Sequence, residues 1–433
     1  MQHRKLKVGL ASATTIAASL VLAAQPAFAD YAPVAKDVVG VGSDTVQYAG
    51  DFIADGDFLA DNGYNTLGNK FKIVNFDATP DANARLAYGP QGLGPNCAPG
   101  TGGTAGTGSQ STTHTDAPCT LNPTIVLRAG TVPVQRPNGS GGGAAAILTD
   151  SHHYISYSRA SSKQGSTLGA AFDSITIGTD KLAMIAANTT NAVPLSVADL
   201  TAIYNCTDTT WTSVGGSSGA TIIPLVPQVG SGTRKSFLAD INVTTPGACV
   251  QTSEENDPTA IASTSSPANA IEPMSGGRLN MFQGKLGDGS TNGVGGYFHD
   301  PSCSLNAIAA GSPSACAAAN NTLNPSVSYL TGTPPDSSGA LYTDTRNLYI
   351  YFRASDVTSG TAWQPGSTLN WVRTLFYNPC PDNPPVSGDG CTNDPIAGEV
   401  GPGGAPYYAT ASGQALISAA GITPSYAATI GGP

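Results

Sequence analysis

Three short turns in this sequence combine glycines with side-chain hydroxyls. They are Gly42-Ser43-Asp44-Thr45, Asn138-Gly139-Ser140-Gly141 and Gly230-Ser231-Gly232-Thr233. A helix that starts at such a turn offers free backbone N–H groups and the positive end of its dipole. Glycine permits close approach of a ligand, and Ser and Thr add hydroxyl donors. The chemistry that these residue types favour is the binding of an anion.

A single turn of this kind is more often an ordinary helix start in which the Ser or Thr is the N-cap. All three turns, however, follow an extended segment and precede a helical one. A further polar turn, Ser158-Arg159, ends the strand-like segment His153–Ser158, so that Gly230–Thr233 is the fourth of the four turns in chain order. Ligands of open α/β sheets bind at the carboxyl ends of the strands, so the four turns together predict one shared anion site.

Strand-like and helix-like segments alternate along most of the chain. Strands are predicted at 36–42, 71–76, 124–135, 153–158, 181–187, 221–226 and 347–352. Helices are predicted after each glycine turn and at 196–204, 369–377 and 411–420, the first of these with a Ser196–Asp199 capping box. This alternation predicts an α/β fold with mostly parallel sheets flanked by helices. Residues 89–120 and 276–340 are rich in Gly, Ser and Pro, and are predicted to be long loops.

The amino terminus has the features of a secretory signal. A basic stretch precedes an apolar run, and Ala27-Phe28-Ala29 is a small-x-small cleavage pattern, so cleavage is expected after Ala29. No Cys follows the apolar run, so no lipid anchor is expected, and the mature protein is predicted to be secreted and extracellular. The formal net charge of −10 argues against a nucleic-acid partner.

The chain has eight cysteines, an even number that favours disulfides in an exported protein. Pairing of sequential neighbours is the simplest prediction, although the sequence leaves other pairings open. The candidate pairs are Cys97–Cys119, Cys206–Cys249, Cys303–Cys316 and Cys380–Cys391. Each would stabilise the protein by about 2–4 kcal/mol.

The order of these segments resembles the phosphate-binding proteins of ABC-type phosphate importers, within the periplasmic-binding-protein superfamily. The resemblance runs from about Val39 to Tyr377. It rests on six segments in the same order: VGVGSDT, NGSGGG, YISYSRASS, LTAIYNCTDTTW, VPQVGSGTRKSF, and Asn256-Asp257 followed by Pro267–Ile271. It implies a two-lobed α/β fold in which an oxyanion, phosphate in the family, is captured between the lobes.

The sequence departs from the family pattern at its charged positions. Pro227 and Val229 stand where the family has an Arg and an Asp, and Arg159 stands where it has an Asp that accepts the proton of monohydrogen phosphate. Asp44 lies in a loop where the family commonly has a neutral residue. These differences suggest a rearranged site in which Arg159 is the bidentate cation. Asp44 would accept a ligand proton or hold Arg159. The alternative is that Arg159 faces solvent or pairs with Asp44 across an empty cleft.

The predicted ligand-binding residues come from all four turns. They are Ser43, Asp44, Thr45, Ser140, Gly141, Ser158, Arg159, Ser231, Gly232 and Thr233. After the signal peptide at 1–29, lobe one is predicted at 31–187 plus 350–433 and lobe two at 188–349, joined near Ala187 and Tyr349.

The sequence therefore predicts a monomeric, secreted solute-binding protein for an oxyanion, most simply phosphate, with no cofactor, no metal, no membrane span and no catalysis. The resemblance implies an ABC permease as partner. The alternative is a secreted interaction module that kept the fold and lost anion binding. An enzyme is disfavoured: Gly215–Gly219 fits GxSxG but lies in a Gly/Ser loop, and His152-His153 is a poor chelate because neighbouring strand residues face opposite sides.

Overall fold

A computed structural model describes most of the chain. The described residues are 33–57, 59–69, 71–78, 124–132, 134–262, 264–293, 327–358, 371–377 and 405–430. The predicted signal peptide and the loop at 89–120 lie outside these residues, as do six of the eight cysteines: Cys97, Cys119, Cys303, Cys316, Cys380 and Cys391.

One set of parallel strands carries the turns at Ser43 and Ser158. β1 (Val38–Gly42) lies between β2 (Ile73–Asn75) and β5 (Tyr157–Ala160), and it is parallel to both. All five residues of β1 are buried, because helices cover this part of the sheet. These helices are α1 (Asp44–Asp55), which follows β1 directly, and α2 (Gly139–Thr149), which precedes β5.

A second set of parallel strands carries the fourth turn. β7 (Ile223–Pro227) pairs in parallel with β8 (Gln251–Ser253) and β9 (Ala270–Ser275). α4 (Val197–Tyr204) and α5 (Gly232–Asp240) flank this set. α4 begins with the predicted capping box, in which Ser196 and Asp199 bond each other's backbone N–H groups.

Two long antiparallel strands join the two sets into one sheet. β6 (Phe172–Ala187) and β11 (Thr343–Arg353) pair along most of their length. β11 also pairs with β5, and β6 also pairs with β9, so the strand order is β2-β1-β5-β11-β6-β9-β7-β8. β10 (Val327–Tyr329) and β12 (Thr423–Thr429) add to β6. The α/β class is thus confirmed.

Several predicted boundaries were wrong. The segment at 276–340 was expected to be loop, but it begins with a helix, α7 (Gly276–Phe282), whose N-cap Ser275 is the last residue of β9. The strand expected at His153–Ser158 is shifted, because β5 starts at Tyr157. The remaining elements are short: β3 (Thr124–Ile125), β4 (Val134–Gln135), α3 (Gly165–Leu168), α6 (Thr259–Ala262), α8 (Ala354–Thr358), α9 (Trp371–Leu375) and α10 (Ala411–Ala419).

The core consists of three clusters of buried side chains, the largest of which contacts both sets of parallel strands. One cluster packs around α1, α9 and α10, a second lies under α2, and a third surrounds the buried Trp211 beside α4 and α5. A disulfide joins Cys206 to Cys249 beside the third cluster, which confirms one of the predicted pairs. Among the described helices, none has the length and apolar content needed to cross a bilayer.

Candidate functional site

The first glycine turn brings β1 directly into α1. Gly42 has φ +98°, and a Cβ there would lie 2.7 Å from the carbonyl oxygen of Arg159, so glycine is required by both backbone and space. The next three residues, Ser43, Asp44 and Thr45, are all buried at the start of α1. The Ser43 N–H donates to the Arg159 carbonyl, and its Oγ has no partner among the described residues.

The second and fourth turns contact each other. The N–H of Gly141, in the first turn of α2, donates to the carbonyl of Gly230 at 2.9 Å. Gly139 has φ +75°, and a Cβ there would be 2.5 Å from the same carbonyl oxygen. On α5, a Cβ at Gly232 would be 2.4 Å from the Ser140 hydroxyl. The structure therefore packs these two predicted helix starts against one another, with one donor of α2 bonded to the protein itself.

The serines of the turns differ in what they bond. Ser140 Oγ accepts from the Ser161 N–H at 2.9 Å and lies 3.3 Å from the Ser161 hydroxyl. Ser231 Oγ accepts from the Arg234 N–H, so it is an ordinary N-cap of α5. Ser158 lies in β5 beneath α2, and its buried Oγ has no partner in the described part of the chain.

Thr45 and Thr233 bring the first and fourth turns together. Their hydroxyl oxygens are 3.5 Å apart, and both contact the same carboxylate oxygen, Oε1 of Glu255. Arg346 Nη2 donates to the Thr233 hydroxyl at 2.9 Å and lies 3.5 Å from that of Thr45. We refer to Thr45, Thr233, Glu255 and Arg346 as the threonine–glutamate cluster. All four side chains are buried.

Ion pairs flank the threonine–glutamate cluster on both sides. Arg346 bonds Asp180 through Nε and Nη2, at 3.0 and 2.8 Å. Asp44 lies 3.5 Å from Nη2 of Arg278 and accepts a hydrogen bond from the Asn256 amide. The Arg278 guanidinium also stacks 4.1 Å over the ring of Tyr48. The cations near the predicted site are therefore Arg346 and Arg278, which the sequence analysis did not identify.

Arg159 is not placed as the bidentate cation that was expected. Its Nη2 donates to the carbonyls of Gly42 and Phe76, at 2.9 and 2.6 Å, and its Nη1 donates to the side chain of Asn75. The guanidinium is fully buried, and these oxygens at the ends of β1 and β2 accept from its two Nη atoms, while its Nε has no partner among the described residues. Arg159 thus holds strand ends together, and the salt bridge seen for Asp44 is with Arg278.

Two glutamates directly after β8, Glu254 and Glu255, form hydrogen bonds to residues from both sets of parallel strands. Glu254 accepts from the amides of Asn138, before α2, and Gln228, after β7, both at 3.0 Å. Glu255 connects Thr45 to Thr233 in the same way. Burial raises the pKa of the Glu255 carboxyl, and the charge of nearby Asp44 raises it further, while the hydroxyl of Thr233 and the charge of Arg346 oppose this.

A cavity of about 790 Å³ leads from the surface to Arg346. Lys163 and Lys235 line it together with Asp240 and Asp344, so its wall carries both signs of charge. Nη1 of Arg346 is buried and has no partner among the described residues. Since Arg346 is one of the lining residues, an anion entering this cavity would meet its guanidinium.

The spacing of residues along the sequence does not indicate that Arg346 and Glu255 lie at the site. Arg346 stands directly before the predicted strand 347–352, and its cross-strand pairing with Asp180 on β6 determines its position. Glu255 directly precedes Asn256, which had been noted for its resemblance to the family. A search of the described residues finds no group of three or more His, Cys, Asp or Glu side chains that could hold a metal ion.

Comparison with known proteins gives structural likenesses only. No protein-family model matches the chain, and no curated protein matches it. Among solved structures, an ABC-type phosphate transport receptor from Vibrio cholerae is 14% identical, with 75% of this chain and 90% of that chain covered and a TM-score of 0.37. PstS from Borrelia burgdorferi is 15% identical, with coverage of 73% and 87% and a TM-score of 0.32.

A phosphate-binding protein from Stenotrophomonas maltophilia is similar in the same degree. It is 14% identical, with 73% of this chain and 79% of that chain covered and a TM-score of 0.35. At these identities and TM-scores the likeness assigns neither a family nor a ligand to this chain, so the function has to be argued from its own residues.

Proposed function

We propose that this protein binds an inorganic oxyanion, phosphate in the first instance, between its two sets of parallel strands. The ligand position would lie at the threonine–glutamate cluster, where the hydroxyls of Thr45 and Thr233 and the backbone N–H at the start of α5 point to one place. Ser140 and Ser43 would contribute from the neighbouring helix starts.

The observation that carries this proposal is the convergence of donors on a single buried point. The N–H and the hydroxyl of Thr233 and the hydroxyl of Thr45 all lie within hydrogen-bond distance of one negatively charged oxygen, which here belongs to Glu255. Arg346 donates to the Thr233 hydroxyl beside them. Donors arranged in this way around one oxygen of a carboxylate are what a buried oxyanion requires.

Titration calorimetry of the mature protein with phosphate tests the proposal, after carried-over ligand has been removed by partial unfolding and refolding. We expect saturable binding, weakened about ten- to hundredfold by Thr233→Ala, because a hydrogen bond to a charged group contributes about 1.5–3 kcal/mol. Thr233→Ser is the matched control, since it keeps the hydroxyl, and it should bind nearly as well as the unchanged protein. A folded protein that gives no binding signal with phosphate or sulfate would exclude the proposal.

The alternative, an interaction module that has lost anion binding, also has an observation in its favour. The bond between Gly141 and Gly230 and the carboxylate of Glu255 close the site with the protein's own groups. The same calorimetry separates the two functions, because the interaction module would bind neither anion.

The wider organisation belongs to the proposal as well. The protein would be a secreted monomer without catalysis, with lobes at 31–187 plus 350–433 and at 188–349, and it would deliver its ligand to an ABC permease. β6 and β11 would be the strands shared by the lobes, and closure would occur by a hinge motion at these strands.

A further inference from the structure

Glu255 occupies the position at which an oxyanion oxygen is expected. Its Oε1 accepts from the Thr233 N–H at 3.1 Å, from the Thr233 hydroxyl at 2.6 Å and from the Thr45 hydroxyl at 3.1 Å. Two of these donors belong to the start of α5 and the third to the start of α1, two of the four turns that the sequence predicted would share an anion. The carboxylate thus bonds the same donors as the proposed ligand.

The burial of the Glu255 carboxylate at this position is energetically unfavourable. It is fully buried, and its second oxygen, Oε2, has no partner among the described residues. Arg346 is the nearest cation, but its shortest bonds are with Asp180 and Thr233. Asp44, on α1, adds a second negative charge, which Arg278 on α7 partly balances. A buried carboxylate that lacks a cation of its own is costly.

We propose that Glu255 is an internal competitor of the ligand: in the unliganded protein its carboxylate takes the oxyanion position and holds the site closed. This inference rests on the proposed function, because it concerns the same site. The proposal gives Glu255 a regulatory role, since anything that neutralises or displaces its charge makes the position available to an anion.

Two anions cannot share this position. At a separation of a few Å, two unit negative charges in a buried site repel each other by several kcal/mol. An anion can therefore bind only if Glu255 takes up a proton or moves away. Because burial and Asp44 raise the pKa of this carboxyl, it is protonated at a higher pH than an exposed Glu. Lowering the pH should therefore weaken the competition.

The test compares phosphate affinities of Glu255→Ala, Glu255→Gln and the unchanged protein by titration calorimetry at pH 8 and pH 5. At each pH, the affinity of the variant is divided by that of the unchanged protein. This ratio removes the effect of phosphate's own protonation, which is the same for both proteins. We expect both variants to bind phosphate at least about tenfold more tightly at pH 8. This ratio should fall towards one at pH 5, where Glu255 in the unchanged protein is more often neutral.

Glu272→Gln is the matched control, because Glu272 is also a fully buried acid but bonds Ser253 and not the threonines. This control should bind phosphate like the unchanged protein. Circular dichroism shows whether Glu255→Ala folds. If it does not, the phosphate affinity of Glu255→Gln is the test, since this variant keeps the volume of the side chain. A ratio of one or less at pH 8 would overturn the inference while leaving the proposed function intact. Absence of binding in every folded form would instead refute the proposed function, and the inference with it.

Discussion

Buried charge sets the chemistry of this site at the scale of single residues. Around the two threonines lie the acids Asp44, Asp180 and Glu255, and Arg278 and Arg346 are the arginines that interact with them. Each arginine is held by one aspartate, so neither is free to follow a ligand without breaking an ion pair. For the proposed ligand, the hydroxyls and the start of α5 would therefore be the donors that can adjust, with the two arginines as fixed neighbours.

Another buried carboxyl makes the stability of the protein depend on pH. Burial raises the pKa of Asp356, in α8, to about 7, although the charge of Arg353 opposes this. An unfolded chain releases this proton near pH 3.9, so the folded state loses stability from this group as the pH rises from about 4 to about 7. We expect Asp356→Asn to stabilise the protein at pH 8, by at most about 4 kcal/mol, and to have little effect at pH 4.

Urea denaturation of Asp356→Asn at these two pH values checks this expectation. Asp288 provides the control, because it is exposed and its pKa is lowered by the hydroxyl and backbone of Ser290. Asp288→Asn should change stability only slightly, and in the opposite direction at pH 8. If Asp356→Asn destabilised the protein equally at both pH values, its carboxyl would be acting as an ionised hydrogen-bond acceptor.

At the scale of elements, α2 begins in a way that its own propensity does not explain. Its first turns contain the four glycines of Gly139–Gly143, each of which costs about 1 kcal/mol relative to Ala in a helix. The close contacts give the reason. A Cβ at Gly143 would lie 2.6 Å from the Cα of Gly42, and one at Gly139 would lie 2.5 Å from the carbonyl oxygen of Gly230. Glycines let three helix starts meet where larger residues would hold them apart.

Replacing Gly139 by Ala should therefore affect binding as well as stability. The variant has to adopt φ +75°, and its Cβ meets the Gly230 carbonyl, so the start of α2 must move away from α5. We expect a loss of at least about 1–2 kcal/mol in the free energy of unfolding, and phosphate binding weakened about tenfold or more. Chemical denaturation and titration calorimetry measure the two effects.

Gly130→Ala separates the close contact from the backbone strain. Gly130 has φ +86°, but no atom lies within 4 Å of a Cβ placed there. This variant should lose about 1–2 kcal/mol of stability from the left-handed backbone alone and keep its affinity for phosphate. Equal affinities for Gly139→Ala and Gly130→Ala would mean that the contact between α2 and α5 is not needed for binding.

At the scale of the whole molecule, the sequence predicted those features that depend on residues close together in the chain. These features are the α/β class, the capping box of α4 and the helix starts after β1 and β7. The contacts of the threonine–glutamate cluster do not, because Thr45 and Thr233 are 188 residues apart and Thr45 and Arg346 are 301 apart. Their meeting depends on how distant strands pair.

Strand register also explains the contacts of Arg159 and Arg346, which the sequence did not predict. Arg346 faces Asp180 because β11 pairs with β6 in one register, which shifts at a bulge between Leu348 and Tyr349. After a bulge, the side chains that would have faced one side of the sheet face the other. The sequence pattern of β11 therefore does not predict which of its residues point to the site. Arg159 is the second-last residue of β5, and the ends of β1 and β2 supply the carbonyl and amide oxygens that accept from its guanidinium.

The disulfide between Cys206 and Cys249 should stabilise the whole molecule. It joins two positions 43 residues apart, at the end of α4 and before β8, and closing a loop of this length stabilises a folded protein by about 4 kcal/mol in the chain-entropy model. We expect Cys206→Ser with Cys249→Ser to lower the free energy of unfolding by roughly this amount, measured by guanidinium denaturation under oxidising conditions.

The comparison with a single substitution makes this last test specific. Cys249→Ser alone breaks the same link but leaves one free thiol, so it should be about as unstable as the double variant if loop closure is the main effect. The threonine–glutamate cluster involves neither cysteine, so phosphate affinity should be preserved in both variants while they are folded. Unchanged stability of the double variant would show that packing around Trp211 already holds this loop, and that the disulfide adds no net constraint.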